Sequence, residues 1–586
     1  MRSLLRLIPY LRRYQKTLML GVLTIIGSNI FTVVQPMLMG FAIDDLKRAI
    51  EQRSVSGSDF LLWAGLIIGF SLIASIFTFL TRQTIIVISR HIEFDLRNDF
   101  LAHLQKLPYS YFQNTSTGDL MAHATNDIAS VRNVLGPGIM YPTDTFMTFT
   151  MVLTLMLLKD WQLTLLALVP LPLVSYAVYR LGKTIHQKSI EKQEQFSLLT
   201  TRAQENLSGI RVIKSYVREE YEIERFAKLS WDYLQKNLVL ARLQSVLWPL
   251  LFLLVGFSII ITMYAGGVQV INGTLTIGAL MAFLTYLTML IWPVIAFGWV
   301  TNMLQQGAAS MGRLCKIFDT VPDIQDTGQT DRTIQSIQGE IEFRNVSFTH
   351  NNAPRPVLNG ITLTIKKGMT LAIVGYTGSG KSTLVNLIPR LYDINSGELL
   401  IDGKPITAIP VDVLRSNIGF VPQETFLFSD TIAENIRYGA DDWTMENIHA
   451  AAEISQIVKD VLEFPKQFDT MIGERGITLS GGQKQRTSIA RAMIRKPNIL
   501  ILDDCLSAVD THTEEEILSR LRLFMKDRTS IIISHRISTV KEADLIIVLE
   551  KGKIVERGTH EELVARGGIY TDLYEKQLLE KEIEEL

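Results

Sequence analysis

The sequence predicts a polytopic α-helical membrane domain of six transmembrane helices, fused to an α/β nucleotide-binding domain built around a phosphate-binding loop (P-loop). Three observations carry that expectation. Six long apolar runs crowd the first 300 residues, whereas the second half alternates short β-branched strands with helical patterns. Between them in type, Gly375 to Ser382 has the spacing glycine, four residues, Gly-Lys-Ser.

The chain has 586 residues, 47% of them hydrophobic, and a mean hydropathy of +0.20. That length calls for more than one domain. A net charge of −1 makes no electrostatic case for nucleic acid as a partner. Cys315 and Cys505 cannot form a disulfide framework, and no metal-ligand spacing surrounds them.

The apolar runs lie near 17–43, 60–81, 140–158, 163–181, 246–266 and 277–300. Each approaches the roughly 20 residues that a helix needs to cross a bilayer. Segments 1–16, 82–136 and 180–245 carry 5, 5 and 12 Lys+Arg, against 3, 1 and none in 44–59, 159–162 and 267–276. This bias puts the N-terminus and the second half in the cytoplasm. Residues 1–16 pair leucines with arginines and read as a helix in the cytoplasmic headgroup region, with a transit peptide as the alternative. The long cytoplasmic segments, such as 187–236, still read as helix and extend the spans below the bilayer. Asp144 is the one acid inside an apolar run. It reads either as an interfacial, solvated side chain or as a site for a cationic substrate.

The chemistry concentrates around residues 371–383, where an apolar run ends in glycines and a helical pattern begins. Gly375, Gly378 and Gly380 let backbone N–H groups turn toward a polyphosphate, with Thr377, Ser379 and Thr383 in the same cradle. Lys381 reaches for the β- and γ-phosphates of ATP and the Ser382 hydroxyl for Mg²⁺. Downstream, Ile499 to Asp503 reads as a buried strand ending in two acids. Asp503 suits the Mg²⁺ role and Asp504 lies next toward the γ-phosphate.

Leu479-Ser480-Gly481-Gly482-Gln483, running into a helix, resembles the signature of the ATP-binding-cassette (ABC) transporter family. The resemblance covers the whole chain, since six spans followed by one cassette is the layout of an exporter half-transporter. It implies a membrane domain over 1–305, a linker over 306–335, an ABC nucleotide-binding domain over 336–575 and a helical tail over 576–586. It also implies that Gln423 contacts Mg²⁺ and the attacking water, and that His535 is the switch histidine. Ser507 to Asp510 matches the D-loop, and Gly473 to Gly476 resembles the exporter-specific loop. Coupling helices are expected near Asn126–Arg132 and Glu219–Phe226. Two cassettes would pair head to tail, each ATP lying between one phosphate loop and the Ser480, Gly481, Gly482 and Gln483 of the other subunit.

Two positions depart from the family pattern. Asp504 stands where a glutamate polarises the attacking water, and His350 where a tyrosine stacks on adenine. The expectation is therefore a weak site in one subunit of a heterodimer, with a glutamate-bearing partner supplying the competent one. The implied activity is ATP-driven efflux of drugs, lipids or other amphiphiles across a bacterial inner membrane. A homodimeric lipid flippase and an ATP-gated channel without net pumping stay open. No peptidase-like cysteine domain precedes the first span, and the order of spans and cassette disfavours an importer.

Overall fold

The protein is described from a computed structural model that covers residues 2–52, 57–350, 353–440, 443–473, 479–509 and 511–584. It divides into two compact units. One holds Met1–Leu104 and Gly118–Asp319, the other Gln105–Thr117 and Thr320–Leu586.

The first unit is helical throughout. The runs 17–43, 60–81 and 140–158 lie in the helices Gln15–Glu51, Gly57–Thr81 and Pro137–Lys159. The fourth run is divided near Pro170 between Trp161–Leu168 and Leu171–Ser208. The fifth lies in the 53-residue helix Glu219–Ile271, and the sixth spans Ile277–Met289 and Ile291–Phe318. By length and composition, three helices among the described residues suffice to cross a membrane: Gln15–Glu51, Phe60–Leu104 and Ile277–Phe318. Leu61, Leu72, Ile76 and Phe79 are largely exposed, as expected of a helix whose apolar residues face lipid rather than a core. The Gln15–Glu51 and Ile277–Met289 helices meet through glycines. A Cβ on Gly278 would lie 1.8 Å from the Gly40 carbonyl oxygen. Beside that contact the Gly278 amide donates to Asp44 Oδ1 at 2.8 Å.

Asn126–Arg132, expected near a coupling helix, packs within the first unit. Its first residues close a π-helical turn, His123–Asp127, and the rest enter the helix Ile128–Leu135, which buries Ile128 and Val131 inside the first unit. Buried Asp127 accepts from Arg313 Nε at 3.0 Å and His123 Nδ1 at 2.6 Å. Burial alone would raise its carboxyl, but the Arg313, His123 and Ser310 hydrogen bonds outweigh it and hold the group at about 2. The segment that folds with the second unit is instead Gln105–Thr117, where Tyr109 meets Tyr392 edge-on at 5.9 Å. Glu219–Phe226 forms the first turns of Glu219–Ile271, after the short helix Ile210–Ser215.

Among its described residues the second unit has ten strands: β1 Ile341–Phe348, β2 Leu358–Ile365, β3 Thr370–Val374, β4 Ser396–Ile401, β5 Lys404–Pro405, β6 Ile418–Val421, β7 Ile499–Asp503, β8 Thr529–Ile533, β9 Leu545–Glu550 and β10 Lys553–Gly558. An antiparallel sheet runs β2-β1-β4-β5, and a second sheet runs β10-β9-β3-β8-β7-β6. From β9 to β6 the second sheet is parallel, and β10 adds an antiparallel edge. β3 is buried on both faces, so its period-2 side chains feed two cores. Ala372 and Val374 join one, with Leu502 and Ile532; Leu371 and Ile373 join the other, with Ile501 and Ile531. The phosphate loop leaves the carboxyl end of this central strand, where parallel α/β sheets place their ligands.

Candidate functional site

The loop after β3 takes a path that needs glycine. Gly375 has φ +147° and Gly380 φ +103°, and a Cβ on Gly375 would lie 2.2 Å from the Leu549 carbonyl oxygen. Lys381 is buried and folds back, donating to the carbonyls of Gly375 at 2.8 Å and Tyr376 at 3.0 Å. Burial pulls its ammonium below the ordinary value, which Asp503 and Asp504 offset only in part.

A cavity of about 220 Å³ is lined by Thr377, Gly378, Gly380, Lys381, Ser382, Thr383, Gln423, Asp503, Asp504 and His535, together with Val357 and Ile533. It thus brings together the phosphate loop, both acids, the glutamine and the histidine, which span more than 150 positions of sequence. Burial raises the Asp503 carboxyl and Asp504 adds to the effect, while Ser382, Lys381 and His535 oppose it. Asp503 Oδ1 and Ser379 Oγ are buried without a hydrogen-bond partner among the described residues. The orphaned Asp503 oxygen and the Lys381 ammonium on one cavity wall fit a hard cation and a polyphosphate. No group of three or more His, Cys, Asp or Glu among the described residues forms a separate metal site.

Asp504 takes φ +46°, a left-handed conformation that aspartate tolerates better than most residues. Its amide donates to Ile533 O at 2.9 Å, and Gln423 Nε2 stands 3.5 Å from its Oδ2.

Ser480 and Gln483 do not line this cavity. Ser480 caps the helix Gly481–Met493 in a reciprocal box: its Oγ accepts from Gln483 N at 3.2 Å, and Gln483 Oε1 accepts from Ser480 N at 2.9 Å. Ser480 is exposed, and its hydroxyl hydrogen meets no acceptor among the described residues. Gln483 Nε2 donates to Asp460 at 2.9 Å. Gly482 lies under the next loop, where a Cβ would stand 2.9 Å from Ala508 O.

His350 also lies elsewhere. It lines a separate cavity of about 390 Å³ with Tyr392, Ser110 and Gln113. Phe348 and Tyr392 meet its ring edge-on at 4.8 and 5.2 Å. Burial pushes the imidazole below its usual value, so at neutral pH it is an uncharged ring. Glu474 to Gly476, in the expected exporter-specific loop, and Asp510 fall outside the described residues.

The comparisons with known proteins agree with this geometry. Residues 18–294 match the ABC transporter transmembrane region and residues 358–507 the ABC transporter domain. A Bacillus subtilis protein described as a probable multidrug resistance ABC transporter ATP-binding/permease protein, YheI, is 38% identical over 97% of both chains. The chain belongs to the ABC transporter family. A Syntrophus aciditrophicus ATP-dependent lipid A-core flippase is 39% identical over 85% of this chain and 82% of its own. Among solved structures, a bacterial Atm1-family ABC exporter with ATP bound superposes with a TM-score of 0.79 at 27% identity, over 97% of this chain and 99% of its own.

Sequence reasoning missed three contributors to this ABC cassette. Buried Gln485 ties the signature helix to the loop after Asp504, donating to Ser507 Oγ at 3.1 Å and accepting from Ala508 N at 3.0 Å. Gln577, in the C-terminal helix Ile569–Glu584, holds the loop around His535. Tyr392 joins His350 to Tyr109. Only Gln485 carried a signal, as a polar residue inside a helix that must be largely buried.

Proposed function

We propose that the chain is one half of an ABC exporter dimer that uses ATP to drive drugs, lipids or other amphiphiles out across a bacterial inner membrane. The observation that carries this reading is the single cavity that gathers Lys381, Ser382, Gln423, Asp503, Asp504 and His535. The multidrug and lipid A-core relatives support the class of substrate. All six apolar runs would cross the membrane. The division into a membrane domain (1–305), linker (306–335), cassette (336–575) and tail (576–586) belongs to the same proposal.

In this reading Lys381 and the loop amides hold the phosphates, and Ser382, Asp503 and Gln423 hold Mg²⁺, which neutralises phosphoryl charge when bound. Gln423 and His535 orient the attacking water beside Asp504. Ser480 to Gln483, lying outside that cavity, would complete the site of a second subunit. The exposed turn carrying Val212, Tyr216 and Val217 offers a partner an apolar contact. His350 would meet the base as a neutral ring.

Asp504 favours a heterodimer with a glutamate-bearing partner, because a carboxylate retracted by about 1 Å can cost on the order of a hundredfold in rate. A homodimeric flippase is the second reading, favoured by the lipid A-core relative. The test is reconstitution of the purified chain, alone and with a candidate partner, in proteoliposomes. ATP-dependent, vanadate-sensitive accumulation of an amphiphile supports an exporter. Nucleotide-gated leak without accumulation would establish a channel instead, and brisk transport by the chain alone would sink the heterodimer.

A further inference from the structure

Away from the nucleotide site, one carboxylate inside an apolar run has a fixed neutral partner and no cationic one. Asp144, on Pro137–Lys159, accepts from Asn29 Nδ2 at 2.7 Å, and Asn29 is only 4% exposed on Gln15–Glu51. The Asn29 amide cannot turn away. Its Oδ1 accepts from the Thr148 hydroxyl, and its Nδ2 also donates to Ile25 O at 3.0 Å. No lysine, arginine or histidine among the described residues pairs with Asp144.

The two helices agree on depth. Asp144 lies fifteen residues before Lys159, and Asn29 fifteen before Asp44, near the Gly278 contact. At 1.5 Å per residue each is about 22 Å from its outer end, within an apolar core about 30 Å thick. A carboxylate at that depth is costly unless a charge offsets it. One turn before it, Tyr141 meets Trp299 edge-on at 5.0 Å, and nearly half of the Trp299 surface is open. Aromatic faces beside a carboxylate are the surroundings that attract an organic cation.

We propose that Asp144, held by Asn29 and one helical turn from the Tyr141–Trp299 pair, recognises the cationic head of an amphiphilic substrate in the membrane domain. The proposal rests on the export reading and narrows it to a substrate charge. A lipid with an anionic head would find no counter-charge here, so the same carboxylate disfavours it.

Tetraphenylphosphonium and tetraphenylborate, matched in shape and opposite in charge, supply the test, with a fluorescent phosphatidylglycerol as an anionic lipid probe. ATP turnover and ATP-driven uptake are measured with the full chain in proteoliposomes, with its partner subunit where turnover needs one. Asp144→Asn is expected to raise the half-saturating tetraphenylphosphonium concentration about tenfold. Basal turnover and the response to tetraphenylborate should persist, and Asp144→Glu should stay near the parent. A tetraphenylphosphonium response unchanged in Asp144→Asn overturns the site, as does an equal loss for both ions, which marks a packing role. A parent protein that responds to tetraphenylborate or the lipid but not to the cation overturns the inference while leaving export standing. No response to any amphiphile sinks both.

Discussion

The side-chain amide of Gln577 is hydrogen-bonded to the main chain on both sides of Arg536, at His535 and Ile537. Its Nε2 donates to the His535 carbonyl, and its Oε1 accepts from the Ile537 amide at 2.7 Å. Across the same turn, buried Glu514 accepts from Arg536 and from the Thr539 hydroxyl. His535 itself is exposed at the cavity wall, so its position depends on this bracing rather than on packing.

Loss of the brace should slow turnover and spare nucleotide affinity. Gln577→Ala is expected to lower kcat about three- to tenfold with little change in the KM for ATP, because no Gln577 atom lines the phosphate cavity. Gln577→Glu keeps the acceptor for Ile537 and should fall between. An ATP titration of turnover checks the split; an unchanged kcat would show that Gln577 does not position His535.

Asp504 invites the opposite experiment. Asp504→Glu extends the carboxylate by one methylene toward the attacking water and should raise turnover about tenfold to a hundredfold. The left-handed backbone at this position costs glutamate about 1 kcal/mol, which trims stability but not the direction of the effect. Phosphate release from the purified chain reads it out, and no gain would mean that Asp504 does not limit the rate.

Asp503 links activity to stability against pH. Its folded carboxyl is held above the ordinary range, so at neutral pH the ionised form destabilises the nucleotide-free fold. Stability from this group is greatest where the carboxyl is protonated and is lost as pH rises through the raised folded value. Asp503→Asn should therefore raise the Tm of nucleotide-free protein at pH 7, with a gain that shrinks as pH falls toward 4, while abolishing Mg²⁺-dependent turnover. A lower Tm at pH 7 would contradict the buried-charge argument.

The two thiols should part company under alkylation. Burial pushes the Cys505 thiol up to about 12, whereas Cys315 is partly exposed on Ile291–Phe318. N-ethylmaleimide at pH 7.5 should label Cys315 on the native protein and Cys505 only after denaturation. Peptide mass spectrometry resolves the two; native labelling of Cys505 would show that its core opens.

Much of the site was legible because its motifs are local. The glycine turn after β3, the strand ending at Asp503 and the helix beginning at Gly481 each depend on residues within one turn, and each forms where the sequence places it. What the sequence did not separate is that Asn126–Arg132 folds within the first unit and Tyr109–Asn114 with the second. What separates them is the burial of Ile128 and Val131 and the Asp127–Arg313 pairing against the edge contact of Tyr109 with Tyr392. Nothing in either stretch announces its partner.

By itself the sequence determined the two architectures, the order of the nucleotide motifs and the identity of the phosphate-binding loop, since periodicity, apolar length and glycine spacing are short-range properties. Only the tertiary structure decided that Gln577 braces His535 across 42 residues and that Asn29 fixes Asp144 across 115. Hydrogen bonds of that kind join residues whose own stretches give no sign of the partner. They exist because packing brings two backbones together, and no local pattern encodes that approach.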